Sequence, residues 1–168
     1  MPLFRSLAII LLFGFASSAA TAQLNVQGVT IIEAPSNFEF VDMGYDSVTD
    51  EVGIVGSVID GTERTATVFE LNLDGDDFAT QTLADLPGAT FNAEVFAISS
   101  DASRIAGSSS SENSVSEGTT WLRSSPDSPA GIGVVNGNVL NNSSAVGAWS
   151  DGVVGNSGGG ENLSLIHI

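Results

Sequence analysis

The chain has 168 residues, with 20 acidic side chains against four arginines and no lysine, and its formal net charge is −16 at pH 7. Such an acidic surface repels nucleic-acid phosphates and anionic membrane surfaces, so both are excluded as partners. There is no cysteine, so disulfides are excluded and stability must come from core burial, metal or oligomerisation.

The first 22 residues have the pattern of a secretory signal peptide, a helix that is removed in the mature protein. Arg5 supplies a positive start, and Leu7–Phe15 is an apolar stretch too short to cross a bilayer. Ala20–Ala22 is a small-residue cleavage site, which predicts a mature chain that begins at Gln23. We expect that chain to have no membrane span and to be secreted, periplasmic or on the cell surface. The alternative is an uncleaved membrane anchor.

A short phrase recurs three times beyond this segment. In each copy a turn with Ser and Asp leads into a β-rich run that closes on a glycine. The closing glycines, Gly56, Gly107 and Gly155, are spaced by 51 and 48 residues. A period near 50 residues is typical of modular β architectures such as propellers. We therefore predict an all-β chain of antiparallel repeats, forming two blades of a β-propeller and part of a third.

The repeat also sets the predicted domain boundaries. They are a signal peptide (1–22), an N-terminal strand and linker (23–40), β-repeat 1 (41–90), β-repeat 2 (91–138), a partial β-repeat 3 (139–162) and a non-native tail (163–168).

Within repeat 2 the composition predicts short strands separated by polar segments. Strands are expected at 95–98, 104–108, 119–123 and 131–135, with a serine-rich loop at 109–118 and a turn at 124–129. We expect residues 108–116 to be mobile. Phe69 and Trp121 lie 13 and 14 residues beyond their closing glycines. A large aromatic residue thus recurs at one position of the repeat, and we expect both to be core residues between blades.

The recurring aspartates and glycines are predicted to have structural roles. A carboxylate in a Ser-x-Asp turn can accept backbone N–H bonds and stabilise the turn. A glycine at the end of the next strand permits a bulge or a close backbone approach. We therefore expect Asp50, Asp101 and Asp151 to form turns, not to act in catalysis, and Gly56, Gly107 and Gly155 to close the strands.

The phrases that start at Ile98 and Trp149 resemble a known family. Ile98–Ser108, followed by Glu117–Leu122, and Trp149–Gly155 are similar to the units of HAF-type bacterial extracellular repeats, over about residues 41–160. Thr67–Phe69 and Thr119–Trp121 stand where that family has His-Ala-Phe. The resemblance implies an exported β-propeller whose location is better defined than its activity.

Few residues could support catalysis. The one histidine, His167, lies in Leu163–Ile168, which resembles the translated end of a transposon used in preparing sequencing libraries. If so, the chain is a fragment of a longer reading frame; the alternative is a genuine apolar tail. Without a usable histidine or any cysteine, a Ser-His-Asp triad and a zinc site are not expected, and we predict no enzyme activity in this chain.

Calcium is the one cofactor that the sequence suggests, and only weakly. Asp74, Asp76 and Asp77 concentrate carboxylates in one turn, and Ca²⁺ prefers such oxygen ligands. The segment does not match an EF-hand loop, so a solvated hairpin turn is the alternative.

Two function classes remain open from the sequence. The first is a binding or surface-structural protein that presents loops to a glycan, a protein or a matrix component. The second is the N-terminal part of a secreted hydrolase whose catalytic region lies elsewhere.

Overall fold

The computed structural model describes residues 36–73, 78–89, 93–112, 114–133 and 142–157. The chain divides into two compact units, Met1–Asn37 and Phe38–Ile168, and all the strands below belong to the second. The predicted signal helix and the tail at 163–168 lie outside the described residues.

The described residues form ten strands and no helix. The strands are β1 (Phe38–Asp46), β2 (Glu51–Asp60), β3 (Glu63–Asn72), β4 (Phe78–Thr82), β5 (Glu94–Ile98), β6 (Arg104–Ser111), β7 (Ser114–Leu122), β8 (Ser125–Gly131), β9 (Ser143–Trp149) and β10 (Gly152–Ser157).

The strands pair in chain order into three antiparallel sheets. β1–β4 form one four-stranded sheet, β5–β8 form a second, and β9 pairs with β10. We call these sheets modules 1, 2 and 3. The prediction of an all-β chain of antiparallel repeats is confirmed. Module 1 begins at Phe38, so its first strand starts three residues before the predicted boundary at 41.

Each module has the same irregularity at its closing glycine. In module 1, Phe40 pairs with Gly56 and Asp42 pairs with Val55, so Val41 is left unpaired as a β-bulge. Phe96 and Val146 are left unpaired in the same way. The β-rich runs and closing glycines of the three matching phrases therefore occupy equivalent places in the fold.

The closing glycine is needed because the bulge brings backbone against it. A β-carbon on this glycine would overlap the carbonyl oxygen of the residue two before the bulge. The overlapping pairs are Gly56 with Glu39, Gly107 with Glu94, and Gly155 with Ser144. A backbone oxygen within a paired strand cannot move aside as a flexible side chain can, so the position excludes larger residues.

The two residues before each closing glycine pack against different modules, because neighbouring side chains of a strand point to opposite faces. Ile105 shares a buried cluster with module 1, whereas Ala106 shares one with module 3. In the same way Val55 faces module 2 from module 1, and Val153 faces module 2 from module 3. The modules therefore stack face to face in chain order.

The larger buried cluster lies between modules 1 and 2 and centres on Trp121. The Trp121 side chain is fully buried, and its Nε1–H donates to the Ala84 carbonyl at 2.8 Å. The other members of the cluster are Val55, Ala66, Val68, Leu83, Ala93, Val95, Ile98, Ala102 and Ile105.

Phe69 occupies the position in module 1 that Trp121 has in module 2. Each lies two residues beyond a threonine that pairs with the closing glycine, Thr67 in module 1 and Thr119 in module 2. Phe69 is 2% exposed and packs edge-on against Phe38, with ring centroids 4.3 Å apart. Both aromatic residues are buried, but only Trp121 lies in the cluster between modules 1 and 2, as predicted, whereas Phe69 packs against Phe38 of its own module.

The predicted loop at 109–118 is wrong. β6 continues to Ser111 and β7 starts at Ser114, so the segment forms a tight hairpin. Two of its serines have partners elsewhere in the fold: the hydroxyl of buried Ser109 accepts from the Leu86 N–H, and the hydroxyl of half-buried Ser111 donates to Glu117. Serine-rich composition was therefore misleading here, because each of these hydroxyls has a partner inside the fold.

The predicted turn at 124–129 is also mostly strand. β8 covers Ser125–Gly131 and includes two prolines, which an edge strand tolerates because it need not donate on its outer side. The Pro126 carbonyl accepts from the Ala84 N–H, which joins this strand to the segment between the modules.

Replacing Gly107 with alanine should destabilise the protein. The new β-carbon overlaps the Glu94 carbonyl oxygen and crowds the Trp121 ring. Overpacking of this kind costs about 1–3 kcal/mol. The measurement is the free energy of unfolding in urea.

Gly147→Ala is the matched control. The one close neighbour of its added β-carbon is a Val154 methyl group, which belongs to a side chain and can move. We expect a change within about 0.5 kcal/mol there. Equal unfolding free energies for Gly107→Ala and the wild type would contradict the bulge geometry.

Candidate functional site

The turns that carry the recurring aspartates lie at one end of the sheets, together with a buried arginine. This end includes the β1–β2 turn (residues 47–50), the β5–β6 turn (100–103), the β9–β10 turn (150–151) and Arg123 in the β7–β8 turn. We call it the turn end.

Asp101 is the hydrogen-bond acceptor that organises the β5–β6 turn. Its Oδ1 accepts from the Ser99 hydroxyl at 2.6 Å, and from the Ser103 hydroxyl at 2.9 Å and N–H at 3.2 Å. These bonds lower the pKa of Asp101, and the Ser99 hydroxyl contributes most. Ala102 takes a φ of 57° in the same turn and is fully buried. The carboxylate is thus held inside its own turn.

In module 1 a different aspartate has this role. Asp46 accepts from the backbone N–H groups of Val48 at 2.9 Å and Thr49 at 3.3 Å. Asp50, at the recurring sequence position, takes a φ of 58° and accepts from the Tyr45 hydroxyl at 2.6 Å. Turn formation by Asp50 therefore involves its backbone conformation and a tyrosine, while Asp46 accepts the turn N–H bonds.

The aspartates are not structurally equivalent, although the glycines are. Asp50 is the last residue of a four-residue turn, Asp101 is the second residue of another, and Asp151 is exposed at the end of a two-residue turn. More residues separate the turn from the closing glycine in module 1 than in module 2. When the two phrases are aligned on their glycines, Asp50 therefore matches Asp101 in sequence but not in the fold. The short polar run after Asp46, typical of an aspartate turn, could have identified that residue.

Arg123 joins module 2 to three carboxylates of module 1. Its Nη2 lies 2.9 Å from Asp46 Oδ2, and its Nη1 lies 2.7 Å from Glu51 Oε2 and 3.3 Å from Glu70 Oε1. The Arg123 side chain is 10% exposed. We call these four residues the Arg123 cluster. Sequence reasoning missed it, because its members are up to 77 positions apart.

The cluster lowers the pKa of two of its carboxyl groups. For Glu51 the main cause is the Arg123 hydrogen bond, followed by one from the Thr49 hydroxyl. For Asp46 the main cause is the Val48 N–H, and the Arg123 charge adds to it. Both groups therefore favour the ionised form, and three negative charges surround one positive charge.

Backbone contacts join modules 1 and 2 at the same end. The Tyr45 N–H donates to the Ser100 carbonyl at 2.9 Å, and the Ile98 N–H donates to Asp42 Oδ2 at 3.1 Å. A β-carbon on Gly44 would overlap the Ser99 carbonyl oxygen, so this glycine permits the approach. The turn end is therefore a rigid junction between sheets.

Most carboxylates described at the turn end accept hydrogen bonds from other groups of the protein. The carboxylates that accept bonds from serine, threonine, tyrosine, arginine or backbone donors are Asp46, Asp50, Glu51, Glu70 and Asp101. Within the ranges that the structure describes, no cluster of three histidine, cysteine or acidic residues is arranged to hold a metal ion. Asp74, Asp76 and Asp77, the predicted calcium ligands, lie outside those ranges, as does His167.

Comparisons of this chain with protein-family models, with curated proteins and with solved structures gave no match. The resemblance to HAF-type repeats therefore stays a prediction. Among the described residues, no helix is long and apolar enough to span a membrane.

Replacing Arg123 with methionine should destabilise the folded protein at pH 7. The change leaves three carboxylates at the module junction without their cation, which costs about 1–3 kcal/mol. The loss is measured as the change in the free energy of unfolding in urea, with the fluorescence of buried Trp121 as the signal. Arg64→Met is the matched control: Arg64 and its partner Glu39 are 46% and 51% exposed, so we expect a change of about 0.5 kcal/mol or less.

The loss should also depend on pH. Since Asp46 and Glu51 have lowered pKa values in the folded protein, their contribution is present above about pH 4 and disappears as the pH falls through those lowered values. The wild-type protein then loses the interaction too, so the difference between it and Arg123→Met should shrink from pH 7 to about pH 3. A difference that is constant over this range would show that the cluster is not the cause.

Proposed function

We propose that this chain is an exported bacterial β-repeat protein with a binding or surface-structural role, and that its modules are blades of a partial β-propeller. The proposal combines the signal-peptide pattern, the resemblance to HAF-type repeats and the geometry of the modules. The proposed role does not include catalysis by this chain.

The observation that carries the proposal is the repetition of one geometry. The same bulge and closing glycine recur in three modules, and module 2 packs one face against module 1 and the other against module 3. Four-stranded antiparallel sheets are the unit from which β-propellers are built, so modules 1 and 2 support an assignment as blades. Rigid β scaffolds of this kind present turns and strand edges as contact surfaces.

The side chains at the turn end support binding over catalysis. A general acid or base needs a carboxyl group that can exchange a proton with a substrate near the working pH. The pKa values of Asp46, Glu51 and Asp101 are instead lowered by bonds within the fold. Carboxylates held in this way favour the ionised form, so they are poor proton donors at neutral pH.

The test starts from the whole sequence expressed in a Gram-negative host. We expect the protein in the periplasm or the medium, with Gln23 as its first residue. The purified protein is then presented to immobilised polysaccharides, peptidoglycan, and acidic and basic polypeptides, with binding followed by biolayer interferometry.

The expected result is saturable binding to at least one class on the panel, with no chemical change in the bound material. A protein that starts at Met1 would contradict export. Turnover of a polysaccharide or polypeptide on the panel, with a rate proportional to protein concentration, would contradict the binding role and favour a hydrolase.

A further inference from the structure

In the first strand of each module, the residue at the β-bulge is apolar and at least partly exposed. Phe96 is 37% exposed and Val146 is 43% exposed, while Val41 is half-buried. A single exposed apolar side chain is ordinary on a protein surface. Here the same structural position is apolar in three modules, although a bulge turns its side chain out of the regular pleat.

These positions lie on strands that are next to each other. β1, β5 and β9 are each at the end of their sheet, and β5 contacts both β1 and β9. Met43, two residues after the first bulge, is 40% exposed on β1. We call Val41, Met43, Phe96 and Val146 the first-strand patch. Exposed apolar residues at matching positions of neighbouring strands are typical of a contact surface.

Acidic side chains lie beside the patch. Glu39 and Asp42 flank Val41 on β1, and Glu94 lies two residues before Phe96 on β5. Glu39 is paired with Arg64, so these groups together carry a net negative charge. The interactions of Asp42 with the N–H groups of Met43 and Ile98 fix its carboxylate but leave the charge in place.

The charge decides which partner fits. A second copy of this chain, with a net charge of −16 and no lysine, would bring like charges together around the patch. A polypeptide segment that combines apolar side chains with lysine or arginine would cover the apolar surface and pair with the acidic rim. Such complementarity speeds association and excludes acidic partners.

We propose that the first-strand patch is a docking surface for a basic, apolar segment of another protein. This inference rests on the proposed binding role and assigns a partner class and a surface to it. The bulges support this use, because a bulged edge disfavours simple strand addition and leaves the side chains to make the contact.

The experiment uses the full chain and a synthetic twelve-residue peptide of leucine and lysine. Fluorescence anisotropy of the labelled peptide gives its dissociation constant. We expect Phe96→Ser and Val146→Ser each to weaken binding by about fivefold or more, as for apolar residues at the centre of an interface. Val48→Ser is the matched control: Val48 is 92% exposed but lies in the β1–β2 turn, so binding should stay within about twofold of wild type.

Two further peptides distinguish docking on the first-strand patch from electrostatic attraction alone. A peptide with glutamate in place of lysine should not bind, and one with serine in place of leucine should bind about tenfold more weakly or worse. Equal binding of the lysine–serine peptide, or unchanged binding by a Phe96→Ser/Val146→Ser double variant, would overturn the proposal.

Sedimentation that shows a dimer abolished by that double variant would identify a second copy as the occupant and also overturn it. Binding to a polysaccharide but not to the leucine–lysine peptide would remove this inference and leave the binding role intact.

Discussion

The structure depends on covering both faces of module 2. In β6, Ile105 packs towards module 1 and the next residue, Ala106, packs towards module 3, so one strand contributes to two buried clusters. An antiparallel sheet that is apolar on both faces cannot be stable with one face in water, and it needs a neighbour on each side. The bulge and closing glycine bring the first two strands of every module into the same close register.

Polar contacts then fix how neighbouring sheets meet. Apolar packing alone tolerates sliding, whereas the Arg123 cluster needs module 2 to place one guanidinium among three carboxylates of module 1. The bonds from the Tyr45 N–H to the Ser100 carbonyl and from the Ile98 N–H to the Asp42 carboxylate impose a similar constraint. In a chain so rich in negative charge, a buried arginine also offsets repulsion at the junction.

The sequence was most informative where a residue type is forced by backbone geometry. The closing glycines and the aromatic pair Phe69 and Trp121 could be placed because overlap or core volume allows few substitutes there. The aspartate of the module 1 turn could not be placed in this way. β1 and β2 form five residue pairs between the bulge and the turn, against two between β5 and β6, and this moves Asp50 away from the position of Asp101. Arg123 could not be assigned either, since its partners come together only when two modules pack. The serine-rich strands were missed because their hydroxyl groups are satisfied inside the fold.

Hydrogen exchange after the substitution Trp121→Ala tests most directly whether each module depends on its neighbour. Trp121 belongs to module 2, and the cluster that it fills includes Val68 and Ala66 of module 1. We predict that the amides of β3 in module 1 lose protection together with those of β6 and β7, because the two sheets share one core. Loss of protection confined to β6 and β7, with β3 unchanged, would show that module 1 is stable on its own and would contradict the account.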